Sequence, residues 1–373
     1  MFAKLTKYLD SLMEKEDIPA CDCIVYHNHE IVFRHMAGYS DLERTKPVSE
    51  SDKYMLWSAT KVVTVTAVMQ LVERGELRLE DEIYRYLPEF EQMYVGDVPA
   101  RNKITVEHLL TMRAGFGYSV KIPEIQEVIQ NNPMATTEEV IMGLAKAPLL
   151  FEPGTHFKYS FCHDVLARMI EVVTGLKYSE YIKKNIFEPL GMYDSTFSIE
   201  ETLPNLTQQY IMKGEPQELT PMEPRNFLRI TPCYESGGAG MLSTVSDYGK
   251  FVEAMCNYGI SSTGVRILSK DSIDMMRVNR LDETCLKDFG IFGLYGYGYG
   301  LGVRTLIDKE LSGSRSPLGE FGWDGAAGSY VLIDVENRIG IFYAQQVRSK
   351  SNTVTEIHPS IRNLVYEYIL GCE

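Results

Sequence analysis

The sequence predicts an α/β (α+β) fold in which both ends of the chain build one domain and a mostly helical segment is inserted between them. Three observations carry this reading. Strand-like runs lie near the start and the end of the 373 residues. The stretch between them is cut by Pro and Gly into helix-length pieces. Amphipathic helical patterns mark the two extremities. The expected division is residues 1–75 and 220–373 for the α/β domain and 76–219 for the insertion.

The elements follow in order. Phe2, Leu5, Leu9, Leu12 and Met13 recur at helical spacing with charges between them, an amphipathic surface helix. CIVYHNHEIVFRHMAGYS reads as two strands around a polar turn at His27 to Glu30. A helix runs from Ser58 to Arg74 and stops at Gly75. In the middle, Thr105 caps one helix, and Thr136 with Glu139 forms a capping box on another. A third helix begins at Ser160 and ends at Gly175, and a short one is closed by Pro189 and Gly191. YGYGYGLGV, SYVLIDVE and RIGIFYAQQ then read as strands, and VTEIHPSIRNLVYEYIL as a closing helix.

Composition narrows the function classes. Hydrophobic residues make up 45% and charged residues 24%, enough for a full core. A net charge of −14 without a Lys/Arg cluster argues against nucleic acid and anionic membrane partners. The seven cysteines, at 21, 23, 162, 233, 256, 285 and 372, contain no Cys-x-x-Cys, which suits a reducing compartment. With no signal-peptide core and no apolar run of 18 residues, a cytoplasmic protein without a membrane span is expected. Cys21 with Cys23 and His27 with His29 lack further ligands at metal-site spacing, so no metal is expected.

The chemistry points to SATKVVTVTAVMQLVERG. Between Ser58 and Val72, Lys61 is the only charged residue, on a helix apolar on nearly all sides. Such a helix is buried. Burial and the helix dipole both favour a neutral amine in the first turn, and a neutral lysine can act as a general base. Ser58 and Lys61 stand at i and i+3, which brings hydroxyl and amine within reach. The same spacing also suits a bland arrangement, with Ser58 capping and Lys61 snorkelling to solvent.

WSATKVVTVTAVMQLVERGELRLEDEIYRYLPEF resembles the active-site helix of the serine β-lactamase-related superfamily, which includes class C β-lactamases, D,D-peptidases and β-lactamase-like carboxylesterases. ITVEHLLTMRAGFGY, FEPGTHFKYSF, IFEPLGMYDSTF and GGAGMLSTVSDYGKF follow in the family's order. The resemblance implies an antiparallel sheet flanked by helices, with Ser58 as nucleophile and Lys61 as base. It matches Tyr159 to the tyrosine that returns a proton to the leaving group. Phe161 stands where the family has an asparagine that binds a substrate amide. Trp323-Asp324-Gly325 stands where the family usually has Lys-Thr-Gly; Trp323 replaces a lysine that pairs with a substrate carboxylate, and the carboxylesterase branch also carries tryptophan there. Glycine at 325 lets substrate approach the strand, and the Ser58 and Ala326 amides would form the oxyanion hole.

These departures favour a carboxylesterase acting on small esters through an acyl-enzyme, without cofactor. The alternatives are a β-lactamase or D,D-peptidase, and a catalytically silent binding protein of the same fold. A small-molecule ester or amide is the expected partner; the oligomeric state is open. Competing constellations are poor. There is no Gly-x-Ser-x-Gly elbow, and Gly296, Gly298, Gly300 and Gly302 form no nucleotide-binding loop but mark a strand closely approached by other backbone. His156 and His163 flank Tyr159 and read as structural.

Overall fold

In the computed structural model, residues 2–200, 205–215, 217–223, 226 and 228–371 are described. Cys372 lies outside them. A seven-stranded sheet forms the centre: β1 (Ala20–His27), β2 (Glu30–Gly38), β3 (Tyr297–Tyr299), β4 (Arg304–Leu306), β5 (Phe321–Gly322), β6 (Tyr330–Asp334) and β7 (Ile339–Ala344), in the order β2-β1-β7-β6-β5-β4-β3. Every neighbouring pair is antiparallel, with Ile24 opposite Phe342 and Val331 also opposite Phe342. The sheet thus joins both ends of the chain, as the strand patterns at 20–40 and 297–344 predict.

Both sheet faces are buried, and the two-residue period of a strand sorts the side chains. Cys23, Val25, Leu332, Ile341 and Tyr343 face the helices Ala3–Lys15 and His358–Leu370, against Leu5, Leu9, Ile361 and Val365. Ile24, Tyr26, Val331, Ile333 and Phe342 face the helix Val245–Cys256 and the Ser58 helix, Thr60–Glu73. Gly249 packs closely on that face: a Cβ there would lie 3.1 Å from Tyr26 and 3.2 Å from Ile24.

The core does not stop at the sheet. The cluster holding Ile24 and Phe342 runs through Val62 and Val65 into Leu109, Val165, Leu166 and Ile182 of the helical region. A second, three-stranded sheet of Gln209–Lys213, Glu218–Met222 and Val347–Arg348 straddles residue 219.

Local signals translate directly. The hairpin turn puts Asn28 and His29 at φ 51° and 72°, the left-handed pair that a two-residue turn requires. At its tip, His29 Nδ1 contacts the buried Glu253 carboxylate. The Thr105 and Thr136 caps form, each with a reciprocal bond from the third helical residue. The helix expected from Ser160 begins instead at Cys162, with Phe161 at its N-cap, and ends at Gly175. The glycines at 296–302 do mark close backbone approach: a Cβ on Gly300 would lie 2.0 Å from the Met276 carbonyl. Among the described residues, no helix is long and apolar enough to cross a membrane.

Ile24 and Ile31 lie on one face of this hairpin and differ in burial. Ile24 is 2% exposed and Ile31 57%. Ile24→Ala is expected to lower stability by about 2–4 kcal/mol and Ile31→Ala by less than about 0.5 kcal/mol in denaturant unfolding. Equal losses would contradict this difference in burial.

Candidate active site

Ser58 sits in a single turn, Trp57–Ala59, that leads into the helix Thr60–Glu73. The residue before it is held in an unusual conformation. Trp57 has φ 50°, which is sterically unfavourable for a bulky side chain. It is fully buried, its indole N–H donates to Gln209 at 3.2 Å, and Arg348 lies 4.5 Å over its ring. Packing on Trp57 therefore fixes the backbone at the point where Ser58 turns into the site.

Lys61 is completely buried. Its Nζ lies 3.4 Å from Ser58 Oγ, 3.5 Å from the Tyr118 hydroxyl and 2.7 Å from the Gly238 carbonyl. Snorkelling is thereby excluded. Burial is the dominant influence and lowers its pKa to about 7, against opposing pulls from Asp164 and Cys162. Asp164 is buried too, and accepts hydrogen bonds from Tyr234 (2.8 Å) and Ser236 (2.6 Å). Burial pushes its carboxyl up, and the Ser236 bond and the charge of Lys61 oppose this.

Two adjacent glycines make this arrangement possible. A Cβ on Gly237 would sit 2.3 Å from the His163 carbonyl, and one on Gly238 would sit 2.8 Å from Asp164 Oδ2 and 3.2 Å from Lys61 Nζ. The space that a Gly238 side chain would fill thus lies between the lysine and the aspartate. Gly237 also accepts the Thr64 hydroxyl at 2.6 Å, one turn below Lys61.

Tyr159 is brought to the same point. Its ring lies under Lys61, with Nζ 4.5 Å from the centroid, and meets the Tyr118 ring edge-on. Burial raises its phenol above the usual value, while hydrogen bonds from Ser58 and Trp323 pull the other way. Tyr159 is therefore a neutral phenol at neutral pH, suited to giving a proton rather than taking one first.

Two of the residues expected to bind substrate are packed among aromatic rings. Trp323 is 5% exposed, stacks on Tyr159 (5.5 Å, 24°) and donates its indole N–H to the Tyr159 hydroxyl at 2.9 Å. It orients the tyrosine and is packed by Phe292 and Tyr299. Phe161 is 1% exposed and packs edge-on against Tyr118. Both outcomes have one cause. An aromatic ring at either position gains more from burial against its aromatic neighbours than from facing water.

The third segment closes against the first. Gly325 has no room for a side chain: a Cβ would lie 2.3 Å from the Leu56 carbonyl, two residues before Ser58. Ser329 Oγ donates to the same carbonyl at 3.1 Å. Ala326 is exposed at the tip of the turn that the Gly328 N–H to Gly325 carbonyl bond closes. The turn carrying Ala326 is thus seated on the segment that leads into Ser58.

Tyr118, Asp164 and Gly238 were not singled out from the sequence, although GFGY and the Gly237-Gly238 pair were available signals. His156 bonds to Asp288 at 2.9 Å, away from the serine. His163 is fully buried, with neither ring nitrogen bonded among the described residues. Burial first, and then Lys61, lower its pKa well below the ordinary value, so it adds no charge beside the lysine. No group of three or more His, Cys, Asp or Glu among the described residues is placed to hold a metal.

An antiparallel sheet flanked by helices, with a serine and a buried lysine one turn apart, defines the β-lactamase/transpeptidase fold. The chain belongs to the Beta-lactamase family, whose model matches residues 5–362. It is 30% identical to an uncharacterized protein of Mycobacterium tuberculosis over 350 residues, covering 87% of this chain and 84% of that one. It is 27% identical to Esterase EstB of Burkholderia gladioli over 357 residues, covering 89% and 87%. Among solved structures it resembles EstCE1, a hydrolase with promiscuous acyltransferase activity, with a TM-score of 0.83, 24% identity and 98% coverage of both chains.

The Trp323 assignment has a kinetic signature. Trp323→Phe keeps the stacked ring but removes the N–H to Tyr159. With any substrate the protein turns over, kcat is expected to fall about 3- to 10-fold with KM nearly unchanged. A rise in KM at constant kcat would return Trp323 to substrate binding.

Proposed function

We infer that this protein is a serine hydrolase that forms an acyl-enzyme on Ser58 and acts on small carboxylic esters. One observation carries the reading. The Lys61 amine lies 3.4 Å from Ser58 Oγ in an environment that lowers its pKa to about 7, so a substantial fraction is free base at neutral pH. A contact of this length in an unliganded site tightens when the substrate carbonyl draws the serine forward.

The sequence of events follows from the groups present. Lys61 accepts the Ser58 proton as Oγ bonds to the ester carbonyl carbon. The Ser58 and Ala326 amides hold the negative oxygen of the tetrahedral species. The proton passes through the Tyr159 hydroxyl to the departing alcohol oxygen as its bond to carbon breaks. Water then bonds to the acyl carbon, its proton returns through Tyr159 and Lys61 to Ser58 Oγ as the bond from that carbon to Oγ breaks, and the carboxylic acid leaves.

The choice of ester over β-lactam or peptide rests on what stands around Tyr159. Phe161 and Trp323 are buried aromatics at the positions where the antibiotic-hydrolysing pattern has an amide-binding asparagine and a carboxylate-binding lysine. Similarity to an esterase along most of the chain supports the same reading.

A fluorophosphonate probe followed by intact-mass measurement is expected to add one label to the native protein and none to Ser58→Ala. A short-chain nitrophenyl ester is expected to be hydrolysed with kcat/KM rising through about pH 7, because only neutral Lys61 accepts the serine proton. The raised Tyr159 phenol adds no fall before about pH 10. A label that persists in Ser58→Ala would overturn the nucleophile. Turnover of a chromogenic cephalosporin without ester hydrolysis would overturn the substrate class. A folded protein inert to every acyl probe would mark a silent binding protein.

A further inference from the structure

A neutral amine has two N–H donors and one lone pair, and only the lone pair can take the Ser58 proton. Which neighbour meets which side of the Lys61 nitrogen therefore decides whether it acts as a base. Three oxygens surround it: the Gly238 carbonyl at 2.7 Å, Ser58 Oγ at 3.4 Å and the Tyr118 hydroxyl at 3.5 Å. A carbonyl only accepts, so Gly238 takes one N–H. A hydroxyl accepts or donates, so Ser58 and Tyr118 compete for the lone pair. Were Tyr118 to donate, the lone pair would be occupied and the second N–H would turn to Ser58, leaving the serine without a base.

Two features put Tyr118 on the accepting side. Its ring is held edge-on against Tyr159 (5.3 Å between centroids, 86°) and against Phe161 (5.0 Å, 71°), which keeps the hydroxyl at the amine. Its own proton has an acceptor in another direction. Asp164 Oδ1 takes the bonds of Tyr234 and Ser236, while Oδ2 has no hydrogen-bond partner among the described residues. The point that a Gly238 Cβ would occupy is 2.8 Å from that Oδ2, 3.3 Å from the Tyr118 hydroxyl and 3.2 Å from Lys61 Nζ, so the three atoms border one small space. A buried carboxylate oxygen without a partner attracts the phenol proton to its side. The phenol keeps that proton, because burial, and then Tyr159 and Asp164, push its pKa well above the ordinary value.

We propose that Tyr118 is a positioning residue for acyl transfer: its hydroxyl accepts the second Lys61 N–H and thereby aims the lone pair at Ser58. This role rests on Ser58 as nucleophile and Lys61 as base, and adds the group that orients the base. The other titratable groups around the amine do not supply it. Cys162 is bonded to Ser160, His163 has neither ring nitrogen bonded among the described residues, and Tyr159 presents its ring face.

The test is Tyr118→Phe, which removes the hydroxyl but keeps the ring and its two edge contacts, so Tm is expected to stay within about 3 °C of native. Nuclear magnetic resonance of labelled lysine side chains is expected to show Lys61 titrating about half a pH unit lower in the variant, because the lost acceptor favoured the ammonium. With a short-chain nitrophenyl ester, kcat on the plateau above pH 7 is expected to fall about 10-fold with KM nearly unchanged. The acid limb of kcat/KM should move down with the Lys61 titration. A tyrosine that only packs would move none of these, since the ring remains. Unchanged kcat, or an unmoved Lys61 signal in the folded variant, would overturn the role of Tyr118. The lysine titration needs no substrate. A shifted Lys61 signal in a protein that turns over no ester would therefore support the hydrogen bond and overturn the hydrolase reading instead.

Discussion

Lys61 is a primary amine with no exposure to water, and the rest of the site is arranged around that fact. Desolvation of an ammonium is expensive, and a buried lysine escapes the cost by giving up its proton. The helix that carries it supplies no compensating charge, and Asp164 faces it across the space that a Gly238 side chain would fill. The Gly238 carbonyl takes one amine proton at 2.7 Å, and the Ser58 and Tyr118 oxygens complete the surroundings. One interaction, removal of water from a lysine, thus creates both the base and the need for the polar groups near it.

Other constraints keep that geometry fixed. Trp57 holds a left-handed backbone under tight burial immediately before the serine. Gly325 presses the turn that carries Ala326 against Leu56. Trp323 ties Tyr159 to the same turn through one hydrogen bond and a stacked ring. Each makes a different chain segment converge on Ser58, and each depends on a residue that ordinary propensities would not place there.

What was legible in the sequence reflects the range of each signal. The hairpin at 20–38, the threonine caps and the apolar Ser58 helix are local patterns, and they appear as read. Ser58 and Lys61 were legible because i and i+3 on one helix are neighbours whatever the fold. Tyr118, Asp164 and Gly238 lie on three separate segments, and only the tertiary structure shows that they share one lysine. Trp323 and Phe161 were marked by family resemblance, but their aromatic partners were not legible. Position in a motif does not say whether a ring faces substrate or core. Packing decides that, and here it buries both.

The account stands on the protonation state of one amine. Nuclear magnetic resonance of the native protein with isotope-labelled lysine side chains would measure it directly. The prediction is a single lysine signal, missing in Lys61→Met, that titrates near pH 7. If Lys61 instead titrates with the other lysines, near the ordinary value of about 10.4, the serine has no base and the proposed chemistry fails.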